Sequence, residues 1–268
     1  MTDGRPAKAW HVFVTYGAAV AVSAATTILA LGFLRARYPD VPYPTLVHTL
    51  PALLVGSLAA SSGLLLALLL FVRPLDATRF RLRPGWETGR ALAVMTLGVL
   101  ALSQTLDSMT RLLGLADQGS LVVFRQVLEG AAGPELFTSV LVLGFGAGIA
   151  EEVFFRGYMQ SRLREHWPTP AAILVTSAAF ALLHLSAVHV VLAFVLGLYL
   201  GFVADLAGST LPSIVCHVAN NVVFTLQTAM GFAVLDRGTN LIAAAAGSVL
   251  VVLCVLWLRR ATPGGRPV

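Results

Sequence analysis

The feature that most constrains this chain is a series of apolar segments, several of them long enough to cross a lipid bilayer. A helix needs about 20 predominantly apolar residues to cross the hydrocarbon core, which is about 30 Å thick. A helix also satisfies its own backbone hydrogen bonds, which lipid cannot do. The segments run from about His11 to Leu34, Thr45 to Val72, Gly89 to Leu115, Leu136 to Met159, Ala171 to Ala187, Val188 to Ala204, Leu211 to Met230 and Leu241 to Leu258. The sequence therefore predicts an all-α fold, a polytopic membrane helix bundle with about eight transmembrane helices.

The number of spans depends on the boundary between the fifth and sixth segments. No glycine or proline marks a turn at Ala187 and Val188, so a count of seven is the alternative to eight. The sequence contains no visible internal repeat, low-complexity tract or soluble second domain. We therefore predict a single integral membrane domain over residues 1–268.

The composition restricts the surroundings and the partners. Hydrophobic residues make up 57% of the chain and charged residues 12%, whereas about a quarter of a soluble domain is charged. The net charge of +5 comes from arginines at the ends of apolar segments, where positive charge meets the lipid headgroups. We therefore expect the lipid bilayer as a partner and no nucleic acid.

The distribution of basic residues predicts an orientation, because cytoplasmic loops carry an excess of lysine and arginine. With a cytoplasmic N-terminus, the inner side receives Arg5, Lys8, Arg73, Arg79, Arg81, Arg83, Arg90, Arg162, Arg164, Arg259, Arg260 and Arg266, and the outer side receives Arg35, Arg37, Arg111, Arg125 and Arg237. Both termini are then cytoplasmic. The arginine-rich, lysine-poor composition indicates a bacterial chain in the inner (cell) membrane.

Three further features receive structural interpretations. The segment Asp117 to Gly130 suits a short helix at the outer interface, with an ordinary connecting helix as the alternative. Asp107 and Arg111 are four residues apart and are expected to pair with each other. His48 and His189 are expected at the membrane interfaces.

The fourth segment carries charged side chains, which are expensive inside a membrane helix and mark functional sites unless they pair. Glu152 and Arg156 are four residues apart, in the favourable order for a helical ion pair, so we expect Glu152 to be neutralised. Glu151 is turned about 100° away from Glu152. It shares a stripe with Gly144 and Gly148, whose missing side chains let another helix approach closely. We therefore predict Glu151 at a packed helix interface, where desolvation and neighbouring charges tune a general base.

The fifth and seventh segments supply polar partners. His184 follows Phe180 by four residues, and His217 precedes Asn221 by four. A single membrane histidine is more often a hydrogen-bonding partner between helices than a catalyst. Together with the two glutamates, however, these residues would be a costly way merely to pack helices. We predict that the fourth, fifth and seventh helices enclose a catalytic site.

These motifs resemble those of the CPBP intramembrane proteases, also called Abi or CAAX-protease-like proteins, which include the type II CAAX prenyl endopeptidases. The three family motifs fall here on Glu151, Glu152 and Arg156, on Phe180 and His184, and on His217 and Asn221. The resemblance covers roughly Gly144 to Thr225, so it says nothing about the first three helices. It implies that residues 136–230 form the catalytic core helices.

The resemblance also implies a catalytic role for four residues and a supporting role for three. These are Glu151 and His184, which would activate water; His217 and Asn221, which would hold the oxyanion of the tetrahedral intermediate; and Glu152, Arg156 and Phe180, which would support them, Arg156 by orienting the glutamates. Amide hydrolysis needs an activated nucleophile and donors aimed at the developing negative charge. The implied roles therefore agree with the residue types.

A metal is the open alternative in this site. Glu151, His184 and His217 could together bind zinc and leave a fourth position for water. Their spacing is not that of a helix motif with paired histidines. We expect no metal and no other cofactor, with zinc on these three residues as the alternative.

The sequence as a whole predicts an intramembrane endopeptidase that hydrolyses a peptide bond in a membrane-anchored protein or peptide. The alternative is a non-catalytic scaffold or immunity protein on the same fold, in which a broken motif is expected, whereas every motif position here is filled. A transporter would be favoured by inverted repeats, which are not visible. Candidate substrates are a prenylated tail, a bacteriocin or pheromone leader, and a C-terminal sorting signal of the kind attributed to the myxosortase branch of the family.

Overall fold

The chain folds into a bundle of helices joined by short connections. A computed structural model describes residues 9–116, 118–231 and 235–262. Arg5, Lys8 and Arg266, which the orientation argument used, and Asp117 lie outside the described residues. Over the described residues the helices are α1 (Ala9–Arg37), α2 (Tyr43–Leu46), α3 (Leu50–Phe71), α4 (Gly89–Leu112), α5 (Ser120–Leu128), α6 (Gly133–Leu163), α7 (Thr169–Leu182), α8 (Ala187–Ala207), α9 (Leu211–Ala229) and α10 (Arg237–Ala261).

Six of these helices, α1, α3, α4, α6, α8 and α10, are long and apolar enough to cross a membrane. Helix α7 is a shorter apolar helix of 14 residues, and α9 has 19 residues. Each of the eight predicted segments contains a helix, and the described part of the chain contains no strand. The prediction of an all-α polytopic membrane bundle is therefore confirmed, while the count of eight spans stays a prediction.

Short polar side chains define where several helices begin. Thr49 and Thr88 precede α3 and α4, and each accepts a hydrogen bond from a backbone N–H in the first turn. Asp236 does the same for α10 through the N–H of Thr239. Such N-caps satisfy donors that the helix itself cannot pair. At the other end of α8, Gly208 adopts a left-handed conformation (φ 69°) that a side chain would disfavour.

The loops lie at the two ends of the bundle, and hydrogen bonds join the loops of each end to one another. At one end, the backbone N–H of Thr210 donates to Arg81 over 2.8 Å, and Arg164 pairs with Asp205 over 2.9 Å. We call this the arginine-rich end; it includes the loop 72–88, the end of α6, the start of α7, the end of α8 and the start of α9.

The opposite end carries α5, and we call it the α5 end. The N–H of Gly130 donates to the carbonyl of Ala229 at the end of α9 over 3.1 Å. The Ser120 hydroxyl lies 3.1 Å from Nδ1 of His189 near the start of α8. The predicted connecting segment therefore contains a helix, Ser120–Leu128, which packs against α3, α9 and the start of α8.

Helix α6 is irregular on both sides of the two glutamates. It runs as α-helix over Gly133–Ser139, π-helix over Val140–Ala147, α-helix over Gly148–Glu152, π-helix over Val153–Gln160 and α-helix over Ser161–Leu163. The π-helix is rare and occurs frequently at functional sites. These wider turns were not predicted from the sequence, in which the apolar length indicates only a helix.

The turn between α7 and α8 lies earlier than the sequence suggested. We expected a boundary at Ala187 and Val188, but α7 already ends at Leu182. The turn is made by Leu185, which has φ 58° and is spanned by a 2.6 Å hydrogen bond from the N–H of Ser186 to the carbonyl of His184. This i→i+2 pattern is that of a γ-turn. His184 is therefore a turn residue, which corrects its predicted place on the fifth helix.

Candidate functional site

A fully buried ion pair lies at the centre of α6. Nη1 of Arg156 is 2.7 Å from Oε1 of Glu152, and both side chains are 0% exposed. Nη2 of the same guanidinium donates to the carbonyl of Gly197 on α8 over 2.9 Å. The expected pairing of Glu152 with Arg156 is thus present, and it also ties α6 to α8.

His217 lies between the two glutamates. Its Nδ1 is 2.9 Å from Oε1 of Glu152, and its Nε2 is 3.7 Å from Oε2 of Glu151. A carboxylate can only accept here, so the Nδ1 nitrogen donates to Glu152. The other nitrogen, Nε2, faces Glu151; it carries a lone pair in the neutral ring and an N–H in the imidazolium. The buried ion pair therefore fixes the orientation of His217 and a hydrogen on its Nδ1.

Close helix packing places Glu151 beside His217. A Cβ on Gly148 would meet backbone atoms of Val218 on α9 at 3.2 and 3.3 Å, and one on Gly144 would meet Val222 at 2.7 Å. The glycines therefore let α9 approach α6 as the stripe predicted. Glu151 remains partly exposed and lines a cavity, so its carboxylate is accessible while that of Glu152 is not.

The ring of Phe180 contacts three side chains of the site. The Arg156 guanidinium lies 4.8 Å from the ring centroid, within the range of a cation–π interaction. The rings of His184 and His217 meet Phe180 edge to face, with centroid distances of 5.1 and 5.8 Å. One side chain thus positions the arginine and both histidines.

His184 presents one nitrogen to the cavity. Its Nδ1 lies 3.3 Å from the carbonyl of Phe180, and a carbonyl can only accept, so Nδ1 donates and Nε2 keeps its lone pair. Within the described residues, the histidine that contacts Glu151 is His217 rather than His184. The pairing of Glu151 with His184 that the resemblance implied is therefore not a direct contact here, although both residues line the same cavity.

His189 also lies in the site region, and its expected place at a membrane interface stays a prediction. Its ring lies 4.3 Å from that of His184, its Nδ1 is 3.1 Å from the Ser120 hydroxyl, and it lines the cavity. From the sequence, His189 is the second residue of the sixth segment, and no role in the site was predicted for it. A second histidine five residues after His184 was the signal that could have drawn attention to it.

Asn221 connects α9 to the first π-helical stretch of α6. Its amide nitrogen donates to the carbonyl of Leu143 over 3.2 Å, and its oxygen accepts from the neighbouring Asn220 over 3.3 Å. One amide hydrogen of Asn221 remains for another acceptor. Both asparagines line the cavity, and Asn220 is a site residue that the sequence analysis missed.

The site opens into a cavity of about 860 Å³, which lies in the range of ligand pockets. Its wall is mostly apolar, and it includes every predicted catalytic residue, namely Glu151, His184, His217 and Asn221, together with Phe180. The structure therefore brings together the residues that the sequence singled out. Glu152 and Arg156 lie behind this wall and do not reach it.

The described residues contain no group of three or more His, Cys, Asp and Glu side chains arranged to hold a metal ion. A zinc site needs three protein ligands at about 2 Å from one point. His217 and Glu151 are neighbours, but His184 contacts Phe180 and His189 instead. The three residues named for the zinc alternative do not form such a set in this arrangement.

Comparison with known proteins gives a family match over about a third of the chain. Residues 133–223 match the family model described as Rce1-like, type II CAAX prenyl endopeptidase Rce1-like. This match covers α6 to most of α9, which are the helices that carry the site, and it supports the assignment of the chain to the CPBP/CAAX protease family. No curated protein and no solved structure matches the chain significantly.

The matched family and the fold indicate the same class of protein. The family suggests a CAAX-type intramembrane protease, which is an enzyme that acts on a membrane-associated substrate. The six long apolar helices indicate an integral membrane protein.

Proposed function

We propose that this chain is an intramembrane endopeptidase that uses water activated by Glu151. The single observation that carries the proposal is His217, held on one nitrogen by a buried carboxylate and facing the accessible carboxylate of Glu151 with the other. A packing role would need one partner for this histidine. Two carboxylates on opposite nitrogens, at the wall of a cavity, are the arrangement of a general acid and base.

In the proposed reaction, the water molecule transfers a proton to Glu151 as its oxygen attacks the carbonyl carbon of the substrate. The lone pair on Nε2 of His184 helps to orient this water. The proton on Glu151 then passes to the leaving amine as the C–N bond breaks. A base of this kind contributes about 10²- to 10⁴-fold to the rate.

The oxyanion receives hydrogen bonds from His217 and from the remaining amide hydrogen of Asn221. With His217 as imidazolium, the two glutamates, Arg156 and His217 carry two negative and two positive charges. A neutral cluster is favourable in a low-dielectric site, where an unpaired charge is strongly disfavoured. Donors fixed before the reaction stabilise the oxyanion without reorganisation.

The proposal requires no bound metal, since a carboxylate activates the water directly. The substrate is a membrane-anchored protein or peptide, and the cleaved bond lies at the depth of the cavity. We propose that the enzyme belongs to a bacterial inner membrane, with a bacteriocin or pheromone leader, a prenylated tail or a C-terminal sorting signal as candidate substrates.

The test is a comparison of protein termini in membranes from cells that express the wild type, Glu151→Gln or Glu135→Gln at equal levels. Glu135 lies in the first turn of the same helix and is exposed, so its variant is a matched control. We expect new termini with the wild type and the control, and none with Glu151→Gln. Identical termini in all three, with all three proteins folded, would favour the non-catalytic scaffold.

A further inference from the structure

The cavity does not extend equally towards the two ends of the bundle. On each lining helix, its residue nearest the arginine-rich end lies well inside the helix. These residues are Tyr16 on α1, Leu64 on α3, Val99 on α4, Glu151 on α6, Phe180 on α7, Leu200 on α8 and His217 on α9. Towards the α5 end, the lining continues to Leu53 and Thr110 near helix ends and to Leu182, the last residue of α7. The cavity therefore reaches only the α5 end.

The arginine-rich end is filled by the loop 72–88. Phe80 of this loop is 5% exposed, and its carbonyl accepts from the hydroxyl of Thr210 over 2.9 Å. The same carbonyl would lie 3.1 Å from a Cβ on Gly157. His217 is only six residues from the start of α9, about 9 Å at 1.5 Å per residue, but Phe80, Thr210 and the fully buried Ser213 occupy this shorter path.

Helix α1 closes the same end from the side. The hydroxyl of Tyr158 donates to Thr15 over 3.0 Å, and that of Tyr16 donates to the carbonyl of Ala179 over 2.8 Å. Val20, one turn further along α1, lines the cavity, as Tyr16 itself does. The two hydrogen bonds that hold α1 against α6 and α7 therefore lie in the arginine-rich half of the bundle.

Part of the rim at the α5 end is apolar and exposed, while the paired Asp107 and Arg125 also line the cavity near this end. Ile28 on α1 is 69% exposed, and Leu182 and Leu185 at the end of α7 are 60% and 90% exposed, and all three line the cavity. In a membrane, such side chains face lipid acyl chains. An apolar membrane-anchoring segment can therefore pass from lipid to the cavity wall without leaving an apolar environment.

The distribution of charge assigns a side of the membrane to this rim. Described arginines at the arginine-rich end are Arg73, Arg79, Arg81, Arg83, Arg90, Arg162, Arg164, Arg259 and Arg260, against Arg35, Arg37, Arg111, Arg125 and Arg237 at the α5 end. Positive charge concentrates on the cytoplasmic side. The α5 end is then extracytoplasmic, and with it the access to the site.

We infer that the catalytic cavity takes its substrate from the extracytoplasmic side, and that the substrate is the apolar anchoring segment of an exported membrane protein. This inference rests on the proposed function for its chemistry, but the route to the cavity is independent of catalysis. The segment that occupies the cavity comes from the outer half of the bilayer. A substrate tail presented in the cytoplasm would have to pass the filled arginine-rich end.

The experiment is site-directed cysteine labelling with a membrane-impermeant sulfonated maleimide. The native Cys216 and Cys254 are free and buried, so the unmodified chain serves as the background control. Ser57→Cys and Ser103→Cys report on the cavity wall, because both residues line it. Two exposed loop positions report on the ends of the bundle: Asp40→Cys at the α5 end and Thr78→Cys at the arginine-rich end.

In intact spheroplasts we expect the cavity cysteines and Asp40→Cys to react at least ten-fold faster than Thr78→Cys, and the order to reverse in inverted vesicles. Cavity cysteines that follow Thr78→Cys instead, or that fail to react while both loop cysteines do, would overturn the inference. Labelling of Thr78→Cys in intact spheroplasts would overturn the orientation on which it depends.

A second arm separates this inference from the proposed function. The same labelling in a Glu151→Gln background does not require activity, so its result stands if proteolysis is never observed. Where the wild type generates new termini, the Ser103→Cys chain is compared before and after labelling from outside. We expect those termini to be lost on labelling; their persistence with a fully labelled cavity would refute access by this route.

Discussion

The buried pair of Glu152 and Arg156 allows a quantitative test of the site. Both side chains are 0% exposed, so removal of either charge leaves the other in a low-dielectric interior. Breaking a buried pair in this way costs about 3–5 kcal/mol. We therefore expect Glu152→Gln and Arg156→Met each to lower the midpoint of thermal unfolding by about 6–20 °C, at about 2–4 °C per kcal/mol for a chain of this size.

The double variant with both substitutions should recover most of this loss. Glutamine and methionine are neutral and similar in volume to the residues that they replace, and replacing a buried pair by neutral groups is often nearly neutral in stability. Activity should not return, because His217 has then lost the carboxylate that orients it. Stability and activity therefore separate in this one variant.

The assay is thermal unfolding of the purified protein in detergent, followed by intrinsic tryptophan fluorescence. The pair of Arg162 and Glu165 provides the control, because it lies nearer the surface, with 15% and 35% of the two side chains exposed. Its variants should change the midpoint little, since exposed pairs contribute about 0–1 kcal/mol. A double variant at Glu152 and Arg156 as unstable as the sum of its singles would refute the reasoning.

Three further predictions follow from packing, composition of the site and capping. Gly148→Ala should destabilise the protein by about 1–3 kcal/mol through overpacking against α9. Gly146→Ala should not, because a Cβ there would meet only the carbonyl of Leu141 at 3.4 Å, an ordinary van der Waals contact; equal unfolding midpoints for the two variants would contradict this. Elemental analysis should find well under one zinc per purified chain, and stoichiometric zinc that is lost in His184→Ala would contradict the metal-free proposal. Hydrogen bonds from Thr239 lower the pKa of Asp236, so its cap is fully present above the pKa of an unfolded aspartate, about 3.9, and is lost as the pH falls through the lower folded value. Protection of the Thr239 amide from hydrogen exchange should fall with it, and protection that does not depend on pH would show that the carboxylate does not cap α10.

The spans and the packing of the glutamates could be predicted because they depend on local pattern. Apolar length predicts membrane helices whatever their partners, and an i,i+4 spacing predicts the pair of Glu152 and Arg156. The glycine stripe that adjoins Glu151 likewise depends on one helix only. Gly144 and Gly148 accordingly contact α9 in the structure.

The turn after α7 could not be predicted because it depends on tertiary contacts. Leucine with a positive φ is disfavoured locally, so no sequence rule places a turn at Leu185. The surrounding structure imposes it, as is common where strain serves a site. The displacement of His184 from a helix and the inclusion of His189 in the cavity both follow from this one residue.

Which of the two histidines contacts Glu151 could also not be predicted from the sequence. The resemblance assigned the role of each residue but not its distance, and the π-helical stretches of α6 change the direction of each side chain around them. His217 therefore contacts Glu151 directly. His184 instead contacts Phe180, whose ring lies against both histidines. Tertiary geometry of this kind cannot be read from spacing alone.

The early end of α7 places paired backbone groups at membrane depth. A helix of 14 residues is about 21 Å long, which is shorter than the hydrocarbon core, so the carbonyls of its last turn lie at membrane depth. The turn takes up those of Phe180 and Ala181, and backbone of this kind is tolerated in a bilayer where it is buried or beside a hydrated cavity. The two carbonyls are therefore paired without water. A ligand that displaced water from the cavity would leave these hydrogen bonds in place, so the end of α7 should keep its structure whether the cavity is filled or empty.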